Sequence, residues 1–140
     1  MTQEEKELLL KDLSARLPYG VKAVLKQTNC YDHTNKVTEK DIYSFRTGRP
    51  LEEDYGQHDY YKVVVTDIKP YLFPLSSMSE EQKKEFEQLL ELELKAINNE
   101  IDPTQATAFE VDFYNKHHLD WRGLIPLGLA IDATINNPYK

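Results

Sequence analysis

The sequence predicts a single α+β domain over residues 1–140. We expect an N-terminal helix, a small antiparallel β-sheet of three to five strands, and two C-terminal helices packed on the sheet. Three observations support this fold: helical leucine spacing near the N-terminus, β-rich segments between residues 21 and 74, and renewed helical spacing after residue 79. A hydrophobic fraction of 40% in 140 residues is enough for one packed core.

The first helix has a recognisable beginning and end. Thr2 and Glu5 have the spacing of a capping box, in which each side chain bonds the other residue's backbone amide. Pro18 and Gly20 predict the end of the helix. The residues that share its apolar side are Leu9, Leu10, Leu13 and Leu17.

Three segments favour β-structure. Val21 to Gln27 alternates apolar and polar residues, which is typical of a half-buried strand. Asp41 to Phe45 predicts a second strand, and Tyr60 to Ile68, with three consecutive valines, predicts a third. Residues 28–40 and 47–58 are polar and predict loops.

Prolines bracket the segment from Lys69 to Pro74. Each proline lacks an amide donor and disfavours helix in the residue before it. We therefore predict an extended connector or a short edge strand there.

Two further capping patterns open the C-terminal helices. Ser79 and Gln82 form one, and Asp102 followed by Pro103 and Gln105 forms the other. The first helix carries an apolar stripe made of Phe86, Leu89, Leu90, Leu94 and Ile97. The second places Ala106, Phe109, Phe113 and His117 on one face.

Composition narrows the functional classes. The net charge of −7 opposes direct binding to duplex DNA or to an anionic membrane. The lone Cys30 excludes an intramolecular disulfide, and no apolar run approaches the ~20 residues that span a bilayer. We therefore expect a soluble cytoplasmic protein. We expect no cofactor, because nucleotide-binding and zinc-ribbon motifs are absent.

The charge is unevenly distributed along the chain. Residues 21–50 sum to +3, whereas residues 79–101 sum to −4. A local basic face is therefore possible on an acidic molecule, although solvated surface charges are the ordinary interpretation.

The segment from Asn115 to Ala130 contains the only tryptophan and two of the four histidines. One interpretation is a small enzyme that uses His117, His118, Asp120 and Arg122 for acid–base chemistry and anion binding. The other makes Asp120 a turn or cap residue and stacks Trp121 on Arg122, and we favour it because no nucleophile motif accompanies the cluster. Adjacent helical positions diverge by about 100°, so we predict no metal site.

Nine tyrosines suggest that part of the surface is aromatic and binds a partner. We predict a non-enzymatic protein whose partner is another macromolecule, most simply a protein. The predicted binding surface consists of Tyr71, Phe73, His118, Trp121 and Arg122. An alternative is an acidic inhibitor that imitates nucleic acid through the Leu51–Tyr55 loop and the glutamate-rich helix, although lysines interrupt that helix.

Three blocks, residues 9–21, 69–81 and 117–125, carry a resemblance to a known group. The sequence resembles a family of uncharacterised small proteins encoded by Bacteroidales bacteria and their phages or mobile elements. The resemblance covers about a quarter of the chain and implies an accessory role rather than a particular chemistry. Phe73 departs from the basic residue common between the two prolines, and Pro126-Leu127 replaces a charged pair.

Overall fold

The computed structural model describes residues 1–28, 31–51, 63–97 and 103–140. The described helices are α1 (Gln3–Arg16), α2 (Glu39–Thr47), α3 (Glu80–Ile97) and α4 (Pro103–Lys116). The described strands are β1 (Lys22–Gln27), β2 (His33–Lys36), β3 (Val65–Leu72) and β4 (Ile131–Asp132). The predicted α+β class is confirmed.

The predicted start and end of α1 are confirmed. Thr2 Oγ1 accepts from the Glu5 amide and Glu5 Oε1 accepts from the Thr2 amide, each at 3.0 Å. A 3₁₀ turn over Leu17–Tyr19 follows the helix. Gly20 then reverses the chain at φ 72°, a left-handed conformation that favours glycine.

The sheet is mixed, with strand order β2-β1-β3-β4. β1 pairs antiparallel with both β2 and β3. β4 instead pairs parallel with β3, so the expectation of a purely antiparallel sheet is wrong at that edge. The parallel pairing arises because the chain crosses over through α3 and α4 before it returns to β3.

The proline-bracketed segment belongs to an inner strand. β3 continues through Pro70 to Leu72, so the prediction of a connector or edge strand there is wrong. Pro70 occupies the last rung that β3 shares with β1, one residue before the first rung with β4. Its missing amide therefore interrupts neither ladder internally. The predicted third strand begins later than expected, at Val65, and residues 60–62 lie outside the described part of the chain.

The predicted strand at Asp41–Phe45 is wrong, because these residues lie in α2. Thr38 and Asp41 form a capping box that starts this helix, with Thr38 Oγ1 accepting from the Asp41 amide at 3.3 Å. β2, in contrast, lies in the segment that we predicted to be a loop. Most of the predicted 47–58 loop lies outside the described residues. The predicted cap residue Asp102 also lies outside them.

α3 and α4 pack mainly on each other, and α4 also reaches α1. The predicted cap of α3 is confirmed, since the Gln82 amide donates to Ser79 Oγ at 3.1 Å. The Phe86 ring contacts the rings of Phe113 and Tyr114. The distal part of the apolar stripe is not core, because Leu94 is 60% exposed.

The core lies between one face of the sheet and the helices α1 and α2. Apolar side chains of the segment 124–130 close it from the C-terminal side. The core residues drawn from α1, β1 and β3 include Leu9, Leu13, Ala23, Leu25, Ile68 and Leu72. The opposite face of the sheet is therefore left for polar residues.

Candidate functional site

A buried ion pair lies beneath the C-terminal segment. Asp12 and Arg16 are one turn apart on α1, on the side that also carries Leu9 and Leu13. Arg16 Nε donates to Asp12 Oδ2 at 2.8 Å, and Arg16 Nη2 donates to the Leu119 carbonyl at 2.6 Å. The exposed fractions of Asp12 and Arg16 are 1% and 0%, so neither charge is screened by bulk water.

Arg122 completes this group of charges. Its Nε lies 3.3 Å from Asp12 Oδ1, an ion pair that falls short of hydrogen-bond geometry. Burial raises the pKa of Asp12, while Arg16 and Arg122 lower it in part. The group therefore ties α1 to the residues around Arg122 and exposes no free acid or base.

Asp120 is a turn residue, one of the two roles that the favoured interpretation predicts. Its Oδ1 accepts from the Leu124 amide at 2.7 Å and its Oδ2 from the Ile125 amide at 2.9 Å. Its own amide donates to the Phe73 carbonyl at 2.8 Å. Both carboxylate oxygens thus support the turn after residue 120.

The predicted stacking of Trp121 with Arg122 is also confirmed. The Arg122 guanidinium carbon lies 4.1 Å from the Trp121 ring centroid. Trp121 Nε1 donates to Asn115 Oδ1 at 3.1 Å, and its ring stacks with Tyr114. The indole is therefore held against α4 and is only half-exposed.

The two histidines have separate environments. His117 Nε2 lies 3.0 Å from Glu85 Oε2 and donates to it, because an ionised carboxylate only accepts. Burial raises the pKa of Glu85, but the hydrogen bond from His117 and the nearby charges lower it to a net depressed value. His118 instead stacks on Tyr139 with ring centroids 4.0 Å apart. The structure therefore does not bring them together as an acid–base pair.

The C-terminal tail covers one end of the sheet. Tyr139 Oη donates to the Tyr71 carbonyl at 2.7 Å and accepts from the Lys22 amide at 3.0 Å. Burial raises the pKa of Tyr139 to about 12. The Phe73 ring lies 6.0 Å from the Tyr139 ring, measured between centroids.

The predicted aromatic surface is therefore not an open patch. Tyr71 is only 6% exposed, so its predicted exposure is wrong, and the reason is its place on an inner strand beneath the tail. Phe73, His118, Trp121 and Arg122 are each half-buried. Their participation in partner binding stays a prediction.

The register of the strands identifies a different candidate binding surface. Residues that face each other across a ladder point to the same side of the sheet, and alternate residues share a side. Lys22, Val24 and Lys26 alternate along β1 and therefore share one side of the sheet. Lys36 pairs with Lys22, and Lys69 pairs with Val24, so both belong to the same side. We call this side the lysine face, and it contains Lys22, Lys26, Lys36 and Lys69.

The lysine face points away from the core. Lys26, Lys36 and Lys69 are exposed, whereas Ala23, Leu25 and Ile68 of the opposite face are buried. Asp67 is its only acidic residue among the described strands. Lys22 and Lys36 stand directly opposite each other, an arrangement of like charges that is unfavourable until an anion neutralises it.

A cleft of about 390 Å³ lies at the end of the lysine face nearest the C-terminal tail. Its described lining consists of Lys22, Thr34, Asn35, Tyr71, Asn136 and Pro138. Lys22 Nζ donates to the Pro138 carbonyl at 2.9 Å, which fixes the ammonium at the wall of the cleft. Tyr71 is therefore the one predicted site residue that lines this cleft.

Comparisons with known protein families, curated proteins and solved structures found no match. Within the described ranges, no group of three or more His, Cys, Asp or Glu side chains is placed to hold a metal ion. None of the described helices is both long enough and apolar enough to cross a membrane.

We expect the stability of the domain to fall as the pH decreases from about 6.5 to about 4. Burial, followed by the charges of Arg16 and His117, lowers the pKa of His118 to about 4. The unfolded chain, with an ordinary value near ~6.5, then binds more protons than the folded one in this window. Because solvent still reaches part of the ring, we expect a loss of about 1–2 kcal/mol.

Urea unfolding at a series of pH values measures this effect. His118→Asn is the matched variant, because asparagine tolerates the positive φ of 56° at this position and does not titrate. The same pH dependence in the wild type and the variant would assign the effect to other groups.

Proposed function

We propose that the protein is a non-enzymatic accessory protein that binds an acidic segment of a partner protein on its lysine face. The observation that carries this proposal is the gathering of four lysines and one aspartate on the exposed side of the sheet, in a chain of net charge −7. The resemblance to proteins of Bacteroidales phages and mobile elements supports the accessory role.

A protein partner fits this surface better than a nucleic acid. Proteins that bind single strands combine positive charge with exposed aromatic rings on which bases stack. Tyr71 is the only Phe, Tyr or Trp in the described strands, and it is buried. The overall negative charge also disfavours a long polyanion, while a short acidic segment meets mainly the local positive field.

The geometry supports the enzyme alternative less well. Both carboxylate oxygens of Asp120 accept backbone hydrogen bonds, and Arg122 lies between Trp121 and Asp12. His117 pairs with Glu85, and His118 stacks on Tyr139. The acidic-inhibitor alternative depends partly on residues 52–55, which lie outside the described residues.

Binding of defined peptides tests the proposal. The acidic probe is a short synthetic peptide that alternates Glu and Thr, so that an extended chain places its carboxylates on one side. A Gln/Thr peptide of equal length is the neutral control. We expect fluorescence anisotropy to detect binding of the acidic probe alone, with an affinity that decreases as salt is added.

Two variants with equal charge changes locate the binding surface. The face variant carries Lys26→Glu and Lys69→Glu, and the control variant carries Lys11→Glu and Lys84→Glu on exposed helix positions. We expect the face variant to bind the acidic probe about tenfold more weakly or worse, and the control variant to stay within about twofold of the wild type. Equal loss in both variants, or binding of a single-stranded oligonucleotide but not the peptide, would contradict the proposal.

The natural partner is sought by capture from a Bacteroidales lysate, followed by mass spectrometry. A protein that the wild type and the control variant retain, and that the face variant loses, is the expected result. The acidic segment of that protein then replaces the probe in the binding measurement.

A further inference from the structure

The cleft at the end of the lysine face has the lining of an anion site. Among its described lining residues there is one cation and no carboxylate. Thr34, Asn35 and Asn136 are exposed, while Tyr71 is buried. The cleft is therefore polar, positively charged and open to an approaching segment.

Hydrogen bonds within the protein leave donors available on residues that line the cleft. Lys22 Nζ uses one of its three hydrogens on the Pro138 carbonyl, so two remain. Asn35 Oδ1 accepts from the Lys36 amide at 2.8 Å, which leaves the Asn35 amino group as its remaining polar function. The hydroxyl oxygens of Thr34 and Tyr71 lie 3.5 Å apart.

We infer that this cleft is a carboxylate-binding subsite, which receives an Asp or Glu side chain of the acidic segment. A single ammonium surrounded by neutral donors matches one negative charge. A phosphate group carries about −1.5 to −2 charges and is typically met by arginine, which is absent from the described lining. This inference rests on the proposed function, and it adds where one side chain of the partner is anchored.

Small probes test the subsite independently of peptide affinity. The probe is N-acetyl-glutamate N-methylamide, with the glutamine analogue as its uncharged match. In NMR spectra of the isotope-labelled protein, we expect the glutamate probe to shift the side-chain amide signals of Asn35 and Asn136 and the ring signals of Tyr71. Equal shifts with the glutamine analogue, or the absence of shifts at these residues, would overturn the inference.

Adjacent asparagines provide a matched pair of variants. Asn136→Asp places a carboxylate in the lining of the cleft, whereas Asn137→Asp makes the same change outside the described lining. Asn137 Oδ1 accepts from the Tyr139 amide at 2.9 Å, a role that aspartate keeps. We expect Asn136→Asp to weaken binding of the acidic probe peptide on the order of fivefold, and Asn137→Asp to leave it within about twofold.

The two proposals fail in different ways. If the face variant loses the acidic probe peptide while Asn136→Asp binds it like Asn137→Asp, the subsite is wrong and the lysine face stands. If the face variant binds the peptide like the wild type, the proposed function itself is wrong.

Discussion

Replacing Arg16 with methionine is expected to destabilise the domain by about 3–5 kcal/mol. The substitution keeps an unbranched apolar side chain in a fully buried position but removes the partner of Asp12. It also removes the donor to the Leu119 carbonyl. A buried carboxyl is then left with Arg122 alone, at an ion-pair distance of 3.3 Å. The free energy of unfolding from urea denaturation measures the loss.

The double variant Asp12→Leu/Arg16→Met is the control. Replacing both members of a buried ion pair with apolar residues of similar size is often nearly neutral, so we expect it to recover most of the stability lost in the single variant. A single variant that costs less than about 1 kcal/mol would mean that water solvates the remaining Asp12 carboxylate.

Replacing Asp120 with alanine is expected to cost about 2–3 kcal/mol. Two amides, those of Leu124 and Ile125, lose their acceptors, and an unsatisfied buried donor costs about 1–3 kcal/mol. The Ile125 amide is only partly buried, so its share is the smaller one. Thermal and urea unfolding would both report the loss.

Asp120→Asn separates this structural role from a chemical one. Asparagine keeps one acceptor oxygen, so we expect roughly half of the alanine effect. If both variants were as stable as the wild type, the hydrogen bonds of the cap would not be important for the turn, and a role for Asp120 in acid–base chemistry would regain support.

Structural features that depend on a few neighbouring residues could be predicted from the sequence. The capping boxes at Thr2 and Ser79 formed as predicted, because each depends on a pair of residues three positions apart. A similar signal is present at Thr38 and Asp41, but the β-like composition of residues 41–45 predicts a strand there. The capping box is the better predictor of α2, because it satisfies the backbone amides at the start of the helix.

The pairing of strands that are distant in sequence could not be predicted in the same way. In the sequence, Pro70 predicts a connector or a short edge strand. In the structure, β3 continues through it, because Pro70 lies where the pairing of β3 changes from β1 to β4. A strand as short as β4, with two residues, has no sequence periodicity of its own. Its parallel orientation depends on how the C-terminal segment returns across the domain.

The candidate sites show the same division. Asp120 as a turn residue and Trp121 stacked on Arg122 were predicted, because these residues are close in sequence. The Asp12–Arg16 pair was missed, although its four-residue spacing beside Leu9 and Leu13 was a usable signal. The lysine face could be identified only from the register of β1, β2 and β3. The sequence alone indicated no more than the net positive charge of residues 21–50.

Two hydrogen bonds between distant residues have a consequence for how the chain folds. Arg16 bonds a carbonyl 103 residues away, and the Lys22 amide bonds a hydroxyl 117 residues away. Neither bond can therefore form until Leu119 and Tyr139 have been synthesised. Because contacts between distant residues slow folding, both bonds should form late in the folding of the domain.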